Sequence, residues 1–106
     1  MTDELLFHHG TTMVRRLRLG PCETMPWHHD PCHRVAVVLS GDALAIEYCD
    51  RGESHRIEIS PGQVEWEEPT NRVHRAVNVG GQPYEQVTVF LFDRPDAAPQ
   101  PNAEPE

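Results

Sequence analysis

Residues 61–78 read PGQVEWEEPTNRVHRAVN: a turn signal, a short run, a second turn signal around Pro69, and a longer run that ends on asparagine. Successive side chains of an extended chain point to opposite sides, so Arg72, His74, Ala76 and Asn78 fall on one face of the longer run and Val73, Val77 and Val79 on the other. A largely polar stripe backed by valines suits a strand that lines a pocket on one side and packs on the other. The same punctuation continues in both directions. Segments 11–19, 34–40, 43–49, 54–59, 63–67, 72–79 and 84–92 are rich in Val, Ile, Leu, Phe and Tyr. Ser40-Gly41-Asp42, Asp50-Arg51-Gly52, Ser60-Pro61-Gly62 and Gly80-Gly81 separate them. No segment sustains a helical period, and short strands at this spacing predict an all-β sandwich or small barrel.

The ends differ from this middle. Residues 94–106 hold four of the ten prolines and no large apolar side chain, a composition that cannot offset its ordering entropy, so a disordered tail is expected there. Residues 1–10 hold Leu5, Leu6 and Phe7, too few to define an element, and are expected to form an arm that docks on a domain spanning 11–93.

Composition narrows the function. A chain of 106 residues supplies one core. Its net charge of −8 makes nucleic acid and anionic membrane poor partners. All of its cations are arginines, and the absence of lysine excludes a lysine Schiff base and lysine-dependent phosphate loops. The start MTDELLFHHG lacks the basic-then-apolar order of a signal peptide, so a cytoplasmic location is expected, with Cys22, Cys32 and Cys49 as free thiols. Seven histidines in so short a chain raise the question of a metal.

Two histidine-bearing stretches, MPWHHDPCHRVAVVLSG at 25–41 and the one quoted first, resemble the two motifs of the cupin superfamily. His28 takes the first histidine of the first motif, and Gly41 closes that motif within VAVVLSG. In the second motif Gly62 takes the opening glycine, Pro69 the proline, and His74 and Asn78 match H-x3-N. The first motif is degenerate: Asp30 stands where the family has its second histidine, and Arg34 where it has glutamate. In the second motif Asn71 replaces a turn glycine, a place where asparagine is the next residue to tolerate a left-handed backbone. The resemblance covers about residues 14–92 and implies a double-stranded β-helix, or jelly-roll, barrel of the RmlC-like kind. It also implies a homodimer in which the strand at MVRRLRL joins a partner's sheet.

The residues support a metal site on their own terms. His28 and Asp30, two apart on a strand, share a face, and His74 supplies a third ligand from the second stretch. Two imidazoles and a carboxylate on one side of an ion leave positions open for substrate, a set that suits iron(II); manganese, nickel or zinc are the alternatives. His33 and His29 are substitute ligands should the chain turn irregularly at Asp30-Pro31-Cys32. Arg34 works against the ion: a unit charge about 5 Å away is worth roughly 3 kcal/mol at an effective dielectric near 20. It either pairs with Asp30 in a metal-free pocket or clamps the carboxylate of a small anionic ligand, with Trp27 and Asn78 as further pocket residues. Two functions stay open: a metal-dependent dioxygenase or isomerase acting on a small acidic metabolite, and a metal-free small-molecule-binding cupin without catalysis.

Overall fold

The structure is a computed structural model, described over residues 1–93; the expected proline-rich tail at 94–106 lies outside the described residues. The chain forms β1 (Thr2–His9), β2 (Thr12–Leu19), β3 (His28–Asp30), β4 (His33–Ser40), β5 (Ala43–Tyr48), β6 (Ser54–Glu58), β7 (Val64–Glu67), β8 (Thr70–Asn78) and β9 (Tyr84–Leu91). Every pairing is antiparallel. One sheet has the order β1-β2-β9-β4-β7 and the other β3-β8-β5-β6. This is the double-sheet barrel that the short, evenly spaced strands predict.

Residues 1–10 are more than a docked arm. Thr2–His9 pairs with β2 along its length, from Thr2↔Arg18 to His9↔Thr12, as a full strand of the larger sheet. A bulge between Leu5 and Phe7 breaks its alternation, which removes the period-2 signal from the sequence. β2 is therefore enclosed, with β1 on one side and β9 on the other. Within the chain β2 has no free edge to offer a partner's sheet. Asn71 also differs from expectation: it runs within β8, and among the described residues Cys22 is the non-glycine with a positive φ. Gly41 does need its freedom, with φ at 127° and so little room that a Cβ at this position would meet Tyr84 Cδ1 at 2.8 Å.

Between the sheets, Leu17, Leu19, Val38, Leu44, Ile59, Ala76 and Tyr84 form the core, with Met25 and Ile46 packed against them. The segment before β3 runs along the edge of β8 through hydrogen bonds from Cys22 N to Asn78 O, Asn78 N to Glu23 O and Met25 N to Ala76 O. That pairing carries on into β3 and sets His28 opposite His74. The same strand β8 thus carries His74 midway along it, Ala76 in the core and Asn78 at its end.

Candidate metal centre

A cavity of about 580 Å³ lies between the sheets. His28, Asp30, Arg34 and His74 line one part of it; Leu44, Ile46 and Ile57 give it an apolar wall on the smaller sheet, and Arg15, Glu65, Gln86 and Thr88 a polar one on the larger. His28 and Asp30 come from the same face of β3 and are both buried, at 6% and 9% exposure. His74 reaches them from β8. One potential ligand atom from each of the three lies within 4.8 Å of the others.

The orientation of the two rings is fixed from behind. His28 Nδ1 is 2.9 Å from the carbonyl oxygen of Pro26, and His74 Nδ1 is 2.8 Å from that of Arg72. A carbonyl only accepts, so in both rings Nδ1 carries the hydrogen and donates it. In a neutral imidazole Nε2 is then a bare acceptor. Both Nε2 atoms point at Asp30 Oδ2, His74 at 3.0 Å and His28 at 3.4 Å. Three acceptors facing one another in a buried place repel, unless each ring takes a second proton or a cation sits among them. Histidines that hold a metal show this same anchoring of the far nitrogen.

Two donors bound at about 2.1 Å to one ion stand about 3.0 Å apart at a right angle and about 3.4 Å apart at the tetrahedral angle. The two separations onto Asp30 match these values. The donor set and its spacing fit a divalent transition metal.

Charge at the site agrees. Burial works against ionisation of Asp30, but hydrogen bonds from His28 and His74 and the charges of His28 and Arg34 outweigh it and hold the carboxyl well below its usual range. For His28, burial again opposes the charged form. The hydrogen bond with Asp30, the Pro26 carbonyl and the Asp30 charge overcome it and raise the ring above its ordinary value. In the absence of a metal His28 therefore holds a proton more readily than a free imidazole, beside an ionised Asp30.

Arg34 faces the same cavity and is 8% exposed. Its Nη1 donates to the carbonyls of Cys32 at 3.2 Å and Glu68 at 3.4 Å. Its Nη2 lies 3.5 Å from Glu67 Oε1 and 3.7 Å from Asp30 Oδ2. It braces the turn into β8 and leaves one edge of its guanidinium toward Asp30. Glu67, its cross-strand neighbour, was not visible in the sequence, because the pairing of Arg34 with Glu67 depends on the β4–β7 register. Gln86 and Thr88 also line the cavity, from a strand whose polar residues at alternate positions carried that signal.

The other candidate residues lie elsewhere. His33 sits on the outer face, stacked on Trp66 with ring centroids 5.3 Å apart and 3.5 Å from Glu68. His29, between His28 and Asp30 on β3, is outside the cluster. Trp27 lies under the Arg75 guanidinium, 4.1 Å from ring centre to carbon, and does not line the cavity. Asn78 is 1% exposed and tied to backbone: Nδ2 donates to Leu19 O and Gln82 O, and Oδ1 accepts from Gly80 N, each at 2.9 Å. It closes the far end of the barrel. Arg72 and Arg75 are held by carboxylates, Arg72 by Asp50 and Glu53 and Arg75 by Glu47.

No family model and no curated protein matches the chain. Solved structures do. A cupin domain from Bordetella pertussis is similar over 85% of this chain and 91% of its own, with a TM-score of 0.75 and 18% identity. An RmlC-like cupin family protein with a double-stranded β-helix fold, from Methanocaldococcus jannaschii, is similar over 91% of this chain and 83% of its own, with a TM-score of 0.67 and 18% identity. An oxalate oxidase in complex with the substrate analogue glycolate is similar over 80% of this chain and 44% of its own, with a TM-score of 0.60 and 20% identity.

Proposed function

We propose that this chain, which has the double-stranded β-helix fold of the cupin superfamily, is a metal-dependent enzyme acting on a small acidic metabolite, with His28, Asp30 and His74 as the ligands. The observation that carries the reading is the pair of Nε2 atoms turned on Asp30 by backbone anchors at Pro26 and Arg72. A bound divalent ion supplies a Lewis acid with open positions at which a carbonyl or dioxygen is activated. The similarity to an oxalate oxidase crystallised with glycolate is in keeping with a small carboxylate ligand.

The chain's own residues do the rest. Asp30 balances part of the ion's charge and is kept ionised by its histidine and arginine neighbours. Arg34 turns one guanidinium edge toward the site, where it orients an incoming carboxylate. Leu44, Ile46 and Ile57 give the cavity apolar walls that exclude water from the reacting end. Dioxygen chemistry and isomerisation are the two reaction classes that this arrangement serves.

A second reading rests on the contact of Arg34 with Asp30. If the arginine and a proton on His28 neutralise the carboxylate, the cavity binds a small anion without metal or turnover. Cobalt(II) titration separates the two. The metal reading predicts visible absorption bands that saturate at one ion per chain and are lost in Asp30→Ala. It also predicts that small carboxylates perturb those bands in the wild type, and more weakly in Arg34→Gln. Carboxylate-induced thermal stabilisation of a protein that takes up no cobalt overturns it in favour of the second reading.

A further inference from the structure

The cavity is larger than a metal centre needs. Its volume of about 580 Å³ equals that of about twenty waters at liquid density, so a two-carbon acid beside the ion fills only a small part of it. The remaining space lies between unlike walls. Leu44, Ile46 and Ile57 line it from the smaller sheet, and β9 of the larger sheet presents Tyr84, Gln86 and Thr88 at alternate positions. These three form a chain. The Tyr84 hydroxyl donates to Gln86 Oε1, and Gln86 Nε2 donates to Thr88 Oγ1 at 2.7 Å. Burial and the charge of Glu67 raise the Tyr84 pKa, so the phenol keeps its proton and its role as donor. That fixes the Gln86 amide, and Thr88 receives a hydrogen while keeping its own. Thr88 is 6% exposed, and among the described residues its hydroxyl proton has no acceptor. A buried donor without an acceptor is costly, and a ligand oxygen removes that cost.

We propose that this cavity takes a medium-chain acid with a second, uncharged oxygen. Its carboxylate lies at the ion and Arg34, an aliphatic body of about six carbons runs along Leu44, Ile46 and Ile57, and a hydroxyl or carbonyl oxygen accepts from Thr88. The place of the carboxylate at the ion rests on the function proposed above; the other two contacts do not.

Register sets the spacing. Arg34 pairs with Phe90, and Ala36 with Thr88. Thr88 therefore sits one strand across and two residues along from Arg34, about 8 Å between Cα atoms. An extended chain advances about 1.2 Å per bond, so a six-carbon acid with an oxygen at its far end covers that distance. Charge decides what the far group is. Arg15, opposite Thr88 on β2, is already bound to Asp3 at 3.0 Å, and Glu65 and Glu67 line the same wall. A second carboxylate there would face three others and an arginine that is engaged, whereas a neutral oxygen meets the Thr88 proton without that repulsion.

Calorimetric titration of the full chain, cobalt-loaded and metal-free, with straight-chain acids of two, four, six and eight carbons tests the proposal. Each length is compared as the plain acid, the ω-hydroxy acid and the diacid. Affinity is expected to rise about threefold per methylene from two to six carbons. The six-carbon ω-hydroxy acid is expected to bind about tenfold more tightly than the plain acid or the diacid. Thr88→Val should abolish the preference for the ω-hydroxyl and keep the dependence on length. Ile57→Ser, at a 40% exposed position on the edge strand β6, should flatten that dependence. Affinity that does not rise beyond two carbons, or an ω-hydroxyl preference that survives in Thr88→Val, overturns the proposal. The wild-type length series needs no variant and decides the case should Thr88→Val fail to fold. Failure of the metal reading has a different signature: no cobalt is taken up, and the same ranking of acids by the metal-free protein then upholds the ligand class with Arg34 alone holding the carboxylate.

Discussion

His74, midway along β8, and Asn78 at its end lie on the same inward face, yet the polar groups of one are fully paired by backbone and those of the other are not. At Asn78 every side-chain hydrogen-bonding group meets a backbone partner at 2.9 Å: two carbonyls for its amide protons and one N–H for its oxygen. At His74 the backbone satisfies only the far nitrogen, and the near one faces a carboxylate that also faces a second histidine. The first arrangement is complete without any addition. The second has an excess of acceptors, and a buried excess of acceptors is an electrostatic demand for a cation. The difference separates residues that hold the barrel together from residues available for chemistry, although a sequence motif groups them as one.

Substitutions should pull the two sites apart. Asn78→Ala leaves the buried Leu19 carbonyl unpaired and removes the partners of Gln82 O and Gly80 N, and is expected to destabilise the fold by about 2 kcal/mol. Denaturant unfolding reads this as a lower midpoint, with metal stoichiometry preserved in the fraction that stays folded. Asp30→Asn is expected to do the reverse. The amide donates a hydrogen bond to a facing Nε2, so the metal-free protein keeps its thermal midpoint or gains a little, while metal affinity falls more than about a hundredfold, beyond the loss seen on removing an outer hydrogen-bond partner. Competition against a chromogenic chelator measures it.

Arg34 tests the same contrast from the side. Arg34→Gln removes a cation whose Nη2 lies 3.7 Å from Asp30 while keeping a donor for the Cys32 or Glu68 carbonyl. Metal affinity is expected to rise about tenfold, screening having reduced the full Coulomb value. A fall in affinity would show that the arginine supports the ligands more than it repels the ion.

The smallest effect is in pH. Because the pKa of His28 is raised, protons compete with metal at higher pH than they would for a free imidazole, and affinity is expected to fall as pH falls through the range where His28 takes up its proton. In the metal-free protein the sign reverses. The raised His28 contributes stability that is full below its unfolded value and lost as pH rises through its folded one. The lowered Asp30 contributes stability present above the ordinary carboxylate range and lost only in acid. Thermal melts should therefore show the metal-free form firmer at pH 6 than at pH 8, and the metal-loaded form firmer at pH 8.

Much of this architecture was legible in the residues. Strand boundaries from 11–19 to 84–92 lie within a residue or two of β2 and β4–β9, because Gly, Pro and Asp mark the turns and the runs between alternate apolar or β-branched residues with polar ones. β1 was obscured by its bulge, and β3 is only three residues long. The candidate cluster could be read from spacing, since His28 and Asp30 share a strand face, and His74 was placed by the second motif. What spacing could not reveal depends on register and on side-chain rotamers. The Arg34–Glu67 pairing joins residues whose proximity is set only when strands align, while the Nδ1 anchors at Pro26 and Arg72 lie two residues back in the chain and are set by how each ring turns. Asn78 shows the opposite failure: its match to the family motif suggested a pocket residue, and its hydrogen bonds make it a strut.

The central claim is that the acceptors at His28, Asp30 and His74 are completed by a metal. Elemental analysis of untagged protein, wild type beside His74→Ala at matched concentration and after anaerobic reconstitution, tests it most directly. About one iron, manganese, nickel or zinc ion per wild-type chain is expected, with a negligible amount in the variant. A wild type that remains free of metal after reconstitution, or a variant that retains as much, would contradict it.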